Sequence, residues 1–216
     1  MSFVEFILSR KVEVFSATLQ HIRLTGISVA LAVGAGVPVG VMLTRFPWLA
    51  RWVLGVAGVI QTIPSLALLG FLLPLPLIGG IGTTPAVVAL FLYSLLAIIR
   101  NTYTGIRQVD PAIKEAARGM GMTDMQVLRM VELPLSLPMI MAGIRISAVV
   151  CVGIATLCAA IGAGGLGQFI FRGISMVNNA MILAGAVPAA VLALCLDFLL
   201  GRAEKHFGPP TRGAGI

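Results

Sequence analysis

The chain has 216 residues, 58% of them hydrophobic and 11% charged, with a mean hydropathy of +1.03. Water-soluble domains carry about a quarter charged residues, so the composition excludes them and indicates an integral membrane protein. The formal net charge of +7 does not indicate a nucleic-acid partner, because the basic residues stand at the ends of apolar runs and form no stripe. They read instead as determinants of membrane topology.

Residues 1–21 mix Phe3, Phe6, Ile7, Val14 and Phe15 with Glu5, Arg10, Lys11 and Glu13. The segment is too short and too charged to span. It lacks the order of a secretory signal, since the basic pair follows the apolar residues and no small-residue cleavage site comes after. An interfacial helix is expected, with the transmembrane domain over 22–202. Leu24 to Thr44 carries no charge, and at about 1.5 Å per residue it crosses a hydrocarbon core of roughly 30 Å. It contains Gly36 and Gly40, a G-x-x-x-G pattern that hints at close helix packing. Arg45 and Arg51 bracket a short turn with Pro47 and Trp48. From Trp52 to Ile99 no charge appears, too long a run for one helix. It divides at the proline- and glycine-rich stretch 73–85, giving spans near 53–73 and 85–99. Pro138 is expected in the first turn of a fourth span ending near Ile161, and a fifth runs from about Met181 to Leu200. A glycine-rich re-entrant or loop segment lies between them, and a tail follows over 203–216. The fold class is thus all-α, with five transmembrane helices.

The one long charged island lies between the third and fourth spans. Asp110 followed by Pro111 is an N-cap and first-turn proline, and the helix they open carries Ile113, Ala116, Ala117 and Met120 on one small apolar face with no evident intrachain partner. Gly119 and Gly121 break it. Thr123 with Gln126 forms a capping box for a second short helix, expected to end before Pro134. An elbow of two short helices results over 110–134. Placing it in the cytoplasm gathers Arg45, Arg51, Arg100, Arg107, Lys114, Arg118, Arg129, Arg202, Lys205 and Arg212 there and leaves Arg10, Lys11, Arg23 and Arg172 outside. The positive-inside rule then sets the N-terminus out and the C-terminus in.

Within the spans, Gln61, Thr62 and Ser65 surround Pro64, and either line a solute path or bond between helices. Arg145 either snorkels or pairs, and in a pore would hold a carboxylate. Asp197 is expected to pair at the interface with Arg202 and Lys205 just beyond it. Phe91, Tyr93 and Tyr103 read as interfacial anchors more readily than as a cation–π cage. Cys151, Cys158 and Cys195 sit in apolar runs without metal-ligand spacing. Gly162 to Gly167 matches G-x-G-x-x-G, but it follows an apolar run and no acid lies near 20 positions on, so a dinucleotide site is rejected in favour of a bend or close packing. No Walker lysine loop, HExxH or GxSxG occurs. If ATP drives the protein, another chain must bind it.

Glu115-Ala116-Ala117, Gly121 and the ending Val131, Leu133 and Pro134 resemble the EAA loop of ABC importer permeases of the type I (MetI-like) fold. Longer stretches, VIQTIPSLALLGFLLPL at 59–75, ALFLYSLLAIIRNTYTGI at 89–106, VDPAIKEAARGMGM at 109–122 and AAIGAGGLGQFIFRGI at 159–174, resemble permeases of osmoprotectant importers for glycine betaine, carnitine or choline. The resemblance implies a multi-pass permease of a bacterial or archaeal cytoplasmic (inner) membrane, itself not an enzyme and binding no cofactor. It implies two cytoplasmic ATPase subunits that hold ATP and Mg, a second copy or close relative of this chain, and an extracytoplasmic substrate-binding protein. Glu115, Ala116, Ala117, Gly121, Ile113 and Met120 would couple to the ATPase, and transport would run by alternating access. The competing readings are a same-fold permease for an amino acid or other small solute, an ATP-independent channel or secondary transporter, and, for the elbow alone, an amphipathic helix lying on the bilayer.

Overall fold

The computed structural model describes residues 3–76 and 78–207, all of them in helices and turns. Most of the tail assigned to 203–216 therefore lies outside the described residues. Four helical runs are long and apolar enough to cross a membrane, or five if one sharply bent pair counts as a span.

The N-terminal segment departs from expectation. A short helix α1, Phe3–Ser9, is followed by α2, Lys11–Arg45, and the break falls at Arg10. No helix end occurs near residue 21. Lys11 and Glu13 lie in the first turn of α2, where long side chains reach water, so their charges end the apolar stretch without ending the helix. At about 1.5 Å per residue, α2 outruns a core of roughly 30 Å, and its first turns extend beyond it. There Phe6, Val14 and Ala17 pack with Leu166, Phe169, Met181 and Ala184. Phe6 meets Phe169 edge to face at 6.5 Å between ring centroids.

The stretch expected as the second span is not straight. Helix α3, Pro47–Thr62, and helix α4, Ser65–Leu72, meet at a bend of 100°. Pro64 excludes the helical conformation from the residue before it, and Ile63 accordingly sits at φ −68°, ψ 126°. After a turn, α5, Thr83–Arg107, runs through the centre of the bundle between α2 and α8. The G-x-x-x-G pattern is used here. A Cβ on Gly36 would stand 2.9 Å from Ile98, and one on Gly40 would stand 2.6 Å from the Cβ of Thr102. On the other flank, a Cβ on Gly143 would stand 2.6 Å from Asn101. In lipid the hydrophobic effect does not draw helices together, so such close approach supplies packing that bulkier residues would prevent.

The elbow consists of α6, Pro111–Gly119, and α7, Asp124–Val127. The second short helix does not stop before Pro134. A π turn, Leu128–Glu132, carries it into α8, Leu133–Leu157, which closes with a tight turn Cys158–Ile161. The Leu133 N–H reaches the Leu128 carbonyl. This wider turn relieves the clash a proline ring makes with the preceding turn of a regular helix, so Pro134 is passed. Pro138 consequently lies inside α8 and does not begin a span. Helix α9, Gly167–Ser175, then folds back to α10, Asn179–Phe207. The glycine-rich segment between α8 and α9 is an ordered bend: Gly162, Gly164 and Gly165 have φ of +77°, +86° and +77°, and the Gly165 N–H donates to Gln20 Oε1 at 3.1 Å. Cys151 and Cys158 are buried, Cys195 is exposed, and all three are free.

Gly40→Ala should destabilise the protein by about 1–3 kcal/mol, because the rigid β-branched Thr102 cannot yield. Gly34→Ala, with nothing within 4 Å of the added Cβ, should be neutral or slightly stabilising. Melting temperatures of the purified variants in one detergent check the contrast.

Candidate functional site

The elbow's backbone is fixed by local chemistry. Asp110 Oδ1 accepts the Ala112 N–H at 2.8 Å, and Pro111 occupies the first turn. Gly121 adopts φ +85° with open space where a Cβ would be, and the Met122 N–H donates to the Ala117 carbonyl at 3.2 Å. The capping box is complete: the Thr123 N–H donates to Gln126 Oε1 at 2.8 Å and the Gln126 N–H donates to Thr123 Oγ1 at 3.4 Å. Both helices thus begin with their free N–H groups engaged.

The expected apolar face is only partly presented. Ile113, Ala116 and Met120 are exposed, as are Glu115 and Gly121, whereas Ala117 is 2% exposed. Ala117 is covered where α6 meets α7 and the π turn, a distinction that small size and spacing alone do not carry. Met125 and Met130 are more than half exposed as well, so Met120 belongs to a larger methionine-rich surface. Such side chains are unbranched and polarizable, and can fit an irregular partner. Behind the elbow, a cleft of about 530 Å³ is lined by Gln108, Asp110, Ile113, Ser136, Met139 and Glu204.

An ionic cluster lies beneath the elbow. Glu132, 3% exposed in the π turn, holds Arg45 at 2.6 Å and Lys114 at 3.6 Å. Lys114 Nζ also donates to the Ile106 carbonyl at 3.0 Å. Sequence reasoning overlooked Glu132, although it is the sole acid between Asp124 and Asp197. A lone acid at the edge of an apolar run needs a partner, and that was the available signal.

The three candidate pathway residues share the bend between α3 and α4. Gln61 and Thr62 are exposed and Ser65 is half-buried. Thr62 Oγ1 donates within its own helix to the Val59 carbonyl at 2.7 Å. Tyr93, read as an interfacial anchor, is buried instead, and its hydroxyl donates to the Ile63 carbonyl at the bend. It fastens the bend to the central helix. Tyr103 does serve a charged neighbour, with the Arg107 guanidinium 5.8 Å from its ring centroid.

Arg145 is paired. Its Nε and Nη2 reach the two carboxylate oxygens of Asp197 at 2.6 and 2.9 Å, and Nη1 reaches Glu204 at 3.3 Å. Asp197 therefore bonds across to α8 and not along its own helix to Arg202 or Lys205. Arg202 lies over the Phe198 ring at 5.1 Å. Near the opposite end of the bundle, His21, also unremarked in the sequence, is fully buried with Nε2 donating to the Val152 carbonyl at 3.1 Å. A cavity of about 460 Å³ lies beside it, lined by Gln20, Arg23, Thr83, Gly164 and Gln168.

A family model described as binding-protein-dependent transport system inner membrane component matches residues 36–212. The chain is similar to the carnitine transport permease protein OpuCB of Listeria monocytogenes, 48% identical over 192 residues that cover 89% of this chain and 87% of that one. It is 46% identical over 206 residues to the choline transport system permease protein OpuBB of Bacillus subtilis, covering 95% and 94%. It is 47% identical over 211 residues to the osmoprotectant import permease protein OsmW of Salmonella typhimurium, covering 97% and 98%. The fold is similar to a chain of the MetNI methionine ABC transporter in an inward-facing conformation. The TM-score is 0.84 and the identity 25%, over 93% of this chain and 99% of that chain.

Thr123→Ala should cost the second elbow helix about 1 kcal/mol. Amide hydrogen exchange over 124–127 is then expected to rise about fivefold, with the centre of α5 unchanged.

Proposed function

The chain belongs to the family of binding-protein-dependent transport system inner membrane components, the multi-pass permease subunits of ABC importers, and from that premise we propose that it imports quaternary ammonium osmoprotectants such as glycine betaine, carnitine or choline. The observation that carries the substrate class is the set of relatives. Permeases named for carnitine, choline and osmoprotectants each share close to half their residues with this chain over nearly all of its length. A same-fold amino acid permease is the second reading, favoured by the structural likeness to the methionine transporter. At 25% identity that likeness speaks for the fold more than for the solute.

The permease is not the enzyme of the system; ATP is hydrolysed by a separate subunit. In the proposed assembly two ATPases bind ATP and Mg, two copies of this chain or this chain and a close relative face each other, and an external binding protein delivers solute. This chain binds no cofactor. The elbow lies in the cytoplasm, with the N-terminus outside and the C-terminus inside, as the distribution of arginines and lysines favours. Exposed Ile113, Ala116, Met120, Glu115 and Gly121 form the surface that docks in a groove of the ATPase. Closure of the ATPases draws the elbows together, and the helices rock outward to receive solute. Hydrolysis restores the inward-facing state. Gln61, Thr62 and Ser65 would line the path at the bend, where exposed polar groups in an apolar run call for a polar neighbour.

Gly121→Val puts a β-branched residue at φ +85°, a strain of about 1–2 kcal/mol that should weaken ATPase association about tenfold. Glu115→Gln is expected to act in the same direction while leaving membrane insertion intact. Co-purification with the ATPase reads both. Uptake of labelled betaine, carnitine, choline and methionine into proteoliposomes separates the substrate readings: methionine uptake without betaine, carnitine or choline uptake would overturn the osmoprotectant assignment.

A further inference from the structure

We infer that Glu132 is a positioning residue that makes the elbow and the nearby ends of α2 and α5 move as one body, so that a displacement applied to α6 reaches the bundle instead of being absorbed at the start of α8. The inference rests on the proposed reading that the elbow receives its displacement from an ATPase.

By chain connectivity alone the elbow transmits poorly. Toward α8, a push on α6 must pass the Gly119–Gly121 turn, then the π turn Leu128–Glu132, then Pro134 and Pro138. The glycine turn interrupts the helix, the π turn has wider bonding than an α-helix, and each proline removes a backbone donor. Toward α2 the elbow has no covalent neighbour. The carboxylate of Glu132 bridges these gaps. It belongs to the π turn itself, it holds Arg45 at the last residue of α2, and it holds Lys114 in α6. Lys114 in turn donates to the Ile106 carbonyl in the last turn of α5. One side chain, 3% exposed, thus joins segments that the backbone connects weakly or not at all. Burial of the carboxylate gives the link its strength, because little water reaches Glu132 and losing its cations would strand it. The surface pair Arg118 and Asp124, at 54% and 79% side-chain exposure, closes a loop within the elbow and bridges to no span. Burial and reach set Glu132 apart from it.

The test uses Glu132→Gln, which keeps the shape and removes the charge, and Arg45→Gln/Glu132→Gln, which also removes the stranded guanidinium. Glu132→Gln in the full complex with its ATPase and binding protein should keep assembly and basal ATP hydrolysis, while solute imported per ATP falls about tenfold. The double variant should recover thermal stability without recovering transport per ATP. A second readout needs neither ATPase nor solute. Ala117→Cys, buried under the elbow, should react with maleimide about tenfold faster in the Glu132→Gln chain than in its parent, both in a Cys195→Ala background. Recovery of transport together with stability in the double variant would reduce Glu132 to charge balance and overturn the inference. So would parental coupling and labelling in the single variant, or loss of assembly in both variants. Failure of the parent complex to bind an ATPase or transport solute would instead sink the functional reading, and the labelling ratio would still decide whether Glu132 holds the elbow down.

Discussion

Glu132 has left water, and that fact orders the half of the molecule nearest the elbow. A buried carboxylate persists only if cations come to it, so the ends of α2 and α6 are held where Arg45 and Lys114 can reach. A second, more exposed cluster lies a few turns further along α8, where Arg145 pairs with Asp197 and Glu204 of α10. Gly201 keeps that space open, since a Cβ there would stand 3.2 Å from the guanidinium carbon. Charge thereby ties α8 to the elbow on one side and to α10 on the other. At the opposite end neutral links join the elements: Gln20 to the Gly165 N–H, His21 to the Val152 carbonyl, Ser28 to the Val87 carbonyl. A buried charge ties the elbow to the bundle, while hydrogen bonds from Gln20, His21 and Ser28 tie the far end.

The middle of the bundle obeys a different constraint. Between lipid-facing helices little is gained by hiding apolar surface, and closeness of approach decides the contact. Gly36 and Gly40 on α2 and Gly143 on α8 bring both helices onto α5, whose side chains Ile98, Thr102 and Asn101 fill the space. The pair α3 and α4 differs from the long helices in that the chain bends by 100° at Pro64. Its exposed carbonyl at Ile63 would be costly in an apolar setting, and the Tyr93 hydroxyl reaches it from α5. Bend and tyrosine belong together.

How much of this could be read from the sequence depended on whether the cause was local. The caps of the elbow, at Asp110, Thr123 and Gln126, follow from residues within three positions of one another, and the structure holds each of those bonds. The helix limits were misjudged where a local sign carried two meanings. Lys11 and Glu13 end an apolar stretch but not a helix, and Pro134 and Pro138 do not stop a helix once a π turn precedes them. Ala117 was grouped with Ala116 by size and spacing, yet a helix turns about 100° per residue and only the neighbouring elements decide which side is covered. Arg45, which pairs with Glu132, and the partners of Arg145 and Tyr93 lie far away in the chain from them. No window of sequence contains both members of those pairs, so only the need for a partner was legible, not its identity.

The elbow combines a fixed frame with an adaptable surface. Its backbone is determined by an aspartate cap, a first-turn proline, a left-handed glycine and a capping box, each of which limits where α6 and α7 can point. Its outer side chains, Met120, Met125 and Met130, can take several rotamers at little cost. A docking partner would therefore meet a defined shape more than a defined set of hydrogen bonds. Force is transmitted well by a rigid backbone and poorly by flexible side chains, so the methionines set how the elbow fits while the frame and the buried Glu132 beneath it set what the fit can move. Changes on the surface or in the frame that shapes it should alter affinity, and a change beneath it at Glu132 should alter coupling. The two properties are separable because they are carried by different atoms.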